Sequence, residues 1–187
     1  IRFSVDGNQV PYGSFDASNK PNPENGLCQI GYVLTMMNGP IACASKRAHH
    51  VGLSSEHNEY MAMTALTKIV IWLRQLMEEI GDERYVEEPT ILFGDNVQAN
   101  HLSREHFTST GNQYIYLPYH FNREATDLGL IQVFWTRSVF NVSDLMTKAM
   151  SAQKMKPLLP FLLGYKSGQE CYDFLMSILD EAATKAM

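Results

Sequence analysis

The chain is poor in the features that would commit it to several common protein classes. Cysteine is scarce. Cys28, Cys43 and Cys171 are odd in number and show no metal-ligand spacing, which leaves three reduced and mostly buried thiols and suggests a reducing compartment. No apolar run reaches the roughly 18 residues that a membrane-spanning helix needs; MKPLLPFLLGY is too short and is broken by Pro157 and Pro160. The opening IRFSVDGNQV lacks the apolar centre of a signal peptide, and it begins at Ile1 rather than Met, as a piece cut from something longer would. Positive charge is also short, with 15 Lys and Arg against 20 Asp and Glu, a net charge of -5. Contact with nucleic acid would therefore need a local patch and not a bulk positive field. There are no repeats, no low-complexity segment, no GxGxxG, no Walker-type phosphate loop and no GxSxG. Of His49, His50, His57, His101, His106 and His120, no pair has the spacing of a zincin or zinc finger. The one sequon, Asn141-Val142-Ser143, reads as a chance match.

What remains is a chain of 187 residues, 45% hydrophobic and 19% charged, the composition of one globular domain with room for a tail. Strand character around Tyr12 to Asp16 precedes the turn-rich NKPNPENG. Two β-rich runs flank Asn38-Gly39, a strong hairpin signal, with Pro40 opening the returning strand. In GLSSEHNEYMAMTALTKIVIWLRQLMEEIG, the apolar positions Ala62, Leu66, Ile69, Leu73, Leu76 and Ile80 form one helical stripe. Ser54 or Ser55 is placed to cap its start and Gly81 to stop it. TILF is a short run suited to a strand buried on both faces. VQANHLSREHF and NQYIYLPYHFNREATDLG read as helical, with Pro118 a weak point; LIQVFWTR reads as a strand, and NVSDLMTKAM starts a helix with Ser143 as its cap. QECYDFLMSILDEAATKAM is a final amphipathic helix. The order predicts an α/β fold with a mixed sheet, residues 1–150 as the domain and 151–187 as a helical extension.

Four acids stand where the chain has reason not to want them, or where a ligand crevice should be. Asp16 lies inside a strand, where Asp is depleted. Asp95 follows a buried strand, and crevices in open α/β sheets lie at the carboxyl ends of strands. Asp144 opens a helix. Glu59 lies on the face of the apolar stripe and points toward the sheet. Singly, each has an ordinary reading: an edge charge, a turn residue, or a first-turn acid favoured by the helix dipole. Together they could converge at one sheet edge. Convergent carboxylates repel one another unless cations neutralise them, and hard oxygen ligands suit Mg²⁺ or Mn²⁺. Two such ions about 3.5–4 Å apart are a device for phosphodiester chemistry.

The same windows carry a resemblance. SFDAS, LSSEHNEYMA, LFGDN and SDLMTKAM, together with GYVLTMMNGPIACASKR, IVIWLRQLMEEIG and YHFNREATDLGLIQVFWT, resemble the ribonuclease H domain of copia-type LTR retrotransposon polyproteins over about residues 10–150. That resemblance implies the RNase H-like fold, a five-stranded mixed sheet whose first three strands are antiparallel, flanked by helices. It also implies that Asp16, Glu59, Asp95 and Asp144 bind two Mg²⁺ or Mn²⁺ ions and catalyse cleavage of the RNA strand of an RNA/DNA hybrid. By the same carry-over Glu59, not Glu56, is the helix acid that matters. An adjacent reverse transcriptase domain and an intracellular setting (cytoplasm, virus-like particle or nucleus) are implied as well. Ser54, Ser55 and Asn96 flank the acids and Lys46 and Arg47 end the hairpin; they are candidates for contact with the substrate backbone, and caps or solvated ends otherwise. In GNQYIYLPYHF the family's Lys, His and Arg are replaced by Gln113, Tyr114 and Pro118. A non-catalytic scaffold of the same fold is the alternative.

Overall fold

The computed structural model describes residues 1–3, 10–18, 22–49, 51–52, 54–96, 116–166 and 176–177. Five strands form one sheet: β1 (Tyr12–Ala17), β2 (Gln29–Met36), β3 (Gly39–Arg47), β4 (Thr90–Gly94) and β5 (Ile131–Trp135). Their spatial order is β3-β2-β1-β4-β5. β1, β2 and β3 pair antiparallel, whereas β4 runs parallel to both β1 and β5. This is the predicted mixed sheet with three antiparallel strands first. The helices are α1 (Ser55–Glu79), α2 (Tyr116–Asp127) and the short α3 (Asp144–Thr147), α4 (Ala152–Met155) and α5 (Leu159–Leu163). The proposed helix over VQANHLSREHF, the altered stretch up to Ile115, and all of the final helix except Met176 and Ser177 lie outside the described residues. Among the described residues no helix is long and apolar enough to cross a membrane.

Strand alternation gives the sheet two apolar faces. On one, Phe15, Tyr32, Leu34, Leu92 and Val133 pack with Met63, Leu66 and Val70 of α1 and Ala125 of α2. On the other, Val33 and Val142 meet Leu158, Met146 and Phe161 from the short helices. The helix α1 starts as the sequence indicates. Ser54 is its cap, its hydroxyl accepting from the His57 backbone N–H at 3.1 Å, and Gly81 takes the left-handed conformation that ends it. The apolar stripe is only partly buried. Ala62, Leu66 and Leu73 face the sheet, but Ile69 and Leu76 are half-buried and Ile80 is 63% exposed. The buried line instead passes through Val70, because 3.6 residues per turn rotate a long helix away from a strict 4-3-4 stripe.

The hairpin turn sits one residue earlier than the Asn38-Gly39 dipeptide suggests. Met37 and Asn38 carry the positive φ angles, 52° and 61°, and Gly39 already pairs with Met36. Two positive-φ residues are what a two-residue type I′ turn requires. Gly39 is needed for another reason: a Cβ there would lie 2.5 Å from the Phe3 ring. Ser143 holds the N-cap position of α3 as expected but makes no side-chain cap hydrogen bond; its hydroxyl donates to Asn141. Helix α3 is one turn long. The thiols divide, with Cys28 buried and Cys43 exposed, because Cys43 lies on the outward face of an edge strand.

One small residue decides how closely α3 approaches the sheet. Gly31 of β2 pairs with Asp16 of β1, and a Cβ on it would fall 2.5 Å from Met146 Cβ and 2.7 Å from Thr147 Cγ2. Gly31→Ala is expected to lower unfolding free energy by about 1–3 kcal/mol, the range for overpacking a close contact. Urea denaturation followed by circular dichroism measures this.

Candidate metal centre

Asp16 stands next to last in a central strand, fully buried. Because β1 and β4 are parallel, with Ser14 opposite Phe93, their carboxyl ends lie side by side. Asp95, one residue past β4, is thereby brought next to Asp16. The turn that ends in Asp144 is fastened to the same strand by Asn141, whose amide donates to the Phe15 carbonyl at 3.0 Å and whose oxygen accepts from the Ser143 hydroxyl at 2.7 Å and backbone N–H at 3.2 Å. Asn141 is fully buried, which also removes the sequon as a glycosylation site. Asp16, Asp95 and Asp144 each place a carboxylate oxygen within 4.8 Å of the others.

Glu59 reaches the same strand from α1. It is 3% exposed, and its Oε1 accepts from the Ala17 backbone N–H at 3.3 Å. Its Oε2 is buried and has no hydrogen-bond partner among the described residues, an expensive state for a polar atom unless something else uses it. The glutamate is not part of the close triad, but the charges of Asp16 and Asp95 act on it.

Burial and mutual repulsion move these acids together. Burial, then the charges of Asp16 and Asp95, push the Glu59 carboxyl up to about 9. Burial pushes Asp16 up to about 7, against the hydrogen bond from Thr147 and the charge of Lys148. Burial raises Asp144 as well. Lys148 lies among them. Its ammonium donates to Asp144 Oδ1 at 2.8 Å and to Asp16 Oδ1 at 3.0 Å, and stands 4.0 Å from Asp95 Oδ2. Burial works against its charge, but the hydrogen bond to Asp144 and the charge of Asp16 hold its pKa above the usual lysine value. The Thr147 hydroxyl donates to Asp16 Oδ2. The Ser138 hydroxyl donates to Asp95 Oδ2 at 2.6 Å, and the Trp135 indole N–H donates to the Asp95 carbonyl at 3.1 Å.

Lys148, Thr147, Asn141 and Ser138 are therefore parts of the site that the acid pattern alone does not name. The signal for Lys148 is its spacing of four from Asp144, which puts two opposite charges on one face of a helical turn. Ser138 and Asn141 carry no comparable signal. Of the other candidates, Ser54 caps α1, Ser55 is exposed, and Asn96 follows Asp95 half-exposed. Lys46 and Arg47 are exposed at the end of β3. Lys46 pairs with Ile30 and Ile30 with Ala17, so it stands two strands, about 10 Å, from the strand end that bears Asp16. Its ammonium rests 5.8 Å from the Tyr32 ring. His49 is exposed beyond the end of β3, and His120 is exposed on α2, its ring edge-on to Tyr119 rather than packed into the core. His57 is buried at the start of α1.

The comparisons agree with this architecture. No protein-family model matches the chain. The Pol polyprotein of transposon TNT 1-94 from Nicotiana tabacum is 28% identical over 144 residues, and that of transposon RE2 from Arabidopsis thaliana is 27% identical over 150. These matches cover 77% and 80% of this chain but only 11% and 10% of the polyproteins, so the chain spans about a tenth of the length of the curated relatives it matches. Its homologues are copia-type retrotransposon Pol polyproteins. Among solved structures, LC11-RNase H1, isolated from compost by metagenomics, matches with a TM-score of 0.54 at 11% identity, covering 81% of this chain and 99% of its own. The same protein in complex with an RNA/DNA hybrid matches with a TM-score of 0.51 at 12% identity, covering 73% and 93%. The fold is thus that of RNase H.

In this RNase H fold the donor set is all hard oxygen, and Glu59 has one oxygen left over. Both fit Mg²⁺ or Mn²⁺, and Asp16, Asp95, Asp144 and Glu59 would hold it. The shifted acids also make stability depend on pH. Glu59 keeps in the native state, up to about 9, a proton that the unfolded chain releases near 4.5, so its contribution is full below 4.5 and is lost as pH rises toward 9. Glu59→Gln is expected to raise the metal-free melting temperature at pH 8, with the gap to wild type closing toward pH 5. Calorimetry at the two pH values measures it.

Proposed function

We propose that the chain is a divalent-metal-dependent endoribonuclease that cuts the RNA strand of RNA/DNA hybrids, acting as the RNase H portion of a retrotransposon polyprotein beside its reverse transcriptase. The observation that carries this reading is the gathering of Asp16, Asp95 and Asp144 within 4.8 Å at the carboxyl ends of β1 and β4, next to the unpartnered Glu59 Oε2. Hybrid recognition by the solved relative LC11-RNase H1 supports the choice of substrate.

Two Mg²⁺ or Mn²⁺ ions, when bound, supply the positive charge that activates a water and stabilises the leaving 3′ oxygen. The residues of the chain do the rest. Asp16 and Asp144 are held in fixed orientation by β1, Asn141 and the α3 turn. Asp95 is aimed by the Ser138 hydroxyl. Glu59 contributes the oxygen that lacks a partner among the described residues. Lys46 and Arg47, at the same end of the sheet, are candidates to meet phosphates, which fix register without reading sequence. Ser54, Ser55 and Asn96 are candidate contacts to sugar or backbone, where the 2′-hydroxyl distinguishes RNA from DNA.

A scaffold that keeps the fold without catalysis is the rival reading. It is favoured by Lys148, which satisfies two of the acids with no metal at all. Labelled RNA/DNA hybrid incubated with the protein and Mg²⁺ or Mn²⁺ separates the two. Cleavage is expected with metal, none with EDTA, and a drop of at least about a hundredfold in Asp95→Asn, since even residues behind the ligands cost about 10–100-fold. No cleavage under any metal condition would leave the scaffold. A melting temperature that Mn²⁺ does not raise would point the same way, because a ligand bound only by the native state must stabilise it.

A further inference from the structure

The site holds a cation of its own. The Lys148 ammonium lies 2.8 Å from Asp144 Oδ1 and 3.0 Å from Asp16 Oδ1, with Asp95 Oδ2 at 4.0 Å. It touches two of the three close acids and stands near the third. The carboxylates it meets are nearly closed to solvent, with side chains 0%, 14% and 7% exposed for Asp16, Asp95 and Asp144, whereas the lysine side chain is 36% exposed. One flank of the lysine thus faces water. Its four-carbon stem leaves the chain at the end of α3, where the backbone has already turned extended.

Mg²⁺ takes carboxylate oxygens at about 2.0–2.1 Å. An ammonium hydrogen-bonded to those oxygens fills the space that such an ion requires, and two positive centres that close repel in a buried site. Lysine and metal therefore cannot share Asp16 and Asp144 in this arrangement. The lysine has a way out that the acids lack.

We propose that Lys148 is a tethered counter-cation that a divalent metal must displace from Asp16 and Asp144, so that its release is coupled to metal entry and sets the metal concentration at which the site fills. The proposal rests on the reading of the four acids as a metal site, but not on any cleavage. If the lysine-in arrangement makes up about nine-tenths of the metal-free protein, the apparent dissociation constant is about tenfold weaker than the intrinsic one.

Two measurements test it. In the first, Mn²⁺ alone is titrated into wild type, Lys148→Met and Lys148→Gln, with free Mn²⁺ read by electron paramagnetic resonance and folding checked by circular dichroism. Both variants are expected to bind Mn²⁺ about tenfold more tightly than wild type. The second uses wild type only. Acylation of lysine amines is followed by mass spectrometry with and without Mn²⁺, with the exposed Lys154 and Lys156 as internal references. Mn²⁺ is expected to speed modification of Lys148 and to leave the references unchanged. Equal or weaker Mn²⁺ binding by both variants, unchanged acylation of Lys148, or no binding by any of the proteins would overturn the proposal. Tighter binding by the variants with no hybrid cleavage by wild type would uphold it and sink the nuclease reading instead.

Discussion

The constraint on which the rest depends is the mutual repulsion of carboxylates held out of water. An isolated buried charge is so costly that a group takes up a proton instead, and Glu59 and Asp16 show this in their upward shifts. Bringing Asp16, Asp95 and Asp144 within 4.8 Å therefore calls for protons or for positive charge beside them. Lys148 meets that demand from within the chain. It explains how the cluster persists although the Asp16 and Asp144 side chains are almost closed to solvent.

Geometry then has to deliver the acids to one place, and the sheet does so at the strand where pairing changes from antiparallel to parallel. β1 has β2 antiparallel on one side and β4 parallel on the other, so only the β4 side brings a second carboxyl end beside Asp16. Missing side chains make the close approach possible. Gly31 admits the α3 turn. Gly94, just before Asp95, admits the Phe15 ring, which a Cβ would meet at 2.4 Å. Asn141 supplies the fixed link, joining the residue before Asp16 to the residue before Asp144. Separations between the acids are thus set by backbone and amide contacts rather than by flexible side chains.

This division also explains what the sequence made legible. Asp16, Glu59, Asp95 and Asp144 stood out because each conflicts with, or marks the end of, a local pattern. Helix α1 and strands β4 and β5 followed from periodicity and turn residues. What was hidden depends on tertiary contact. Asn141 and Ser138 look like ordinary loop residues until β1 and Asp95 are beside them. Ser143 has the right type and place for a cap, but its backbone is already helical, with φ -71° and ψ -12°, and its side chain accepts no cap hydrogen bond. The hairpin slipped by one residue because Gly39 is required by Phe3 and not by the turn. Lys148 was visible only as a spacing of four, and such pairs are usually surface decoration worth a few tenths of a kcal/mol. Burial of its partners is what changes its weight.

The charge balance bears on how such a site meets a polyanion. A chain of net charge -5 repels a hybrid at long range, and screening leaves only contacts within about 8–10 Å to act at physiological salt. Lys46 and Arg47 fall near that distance from the end of β1, by strand spacing, and Lys148 lies in the cluster itself. Lysine freed from the carboxylates by metal would move positive charge outward, toward solvent and any bound phosphate, without changing the number of charges on the chain. Metal entry would then alter the field twice, once by neutralising the acids and once by releasing the lysine. If metal binds as proposed, a site that is unfavourable to a polyanion when metal-free would become favourable only once metal is in place. Substrate approach would be tied to readiness for the reaction, even though this chain carries a net charge of -5.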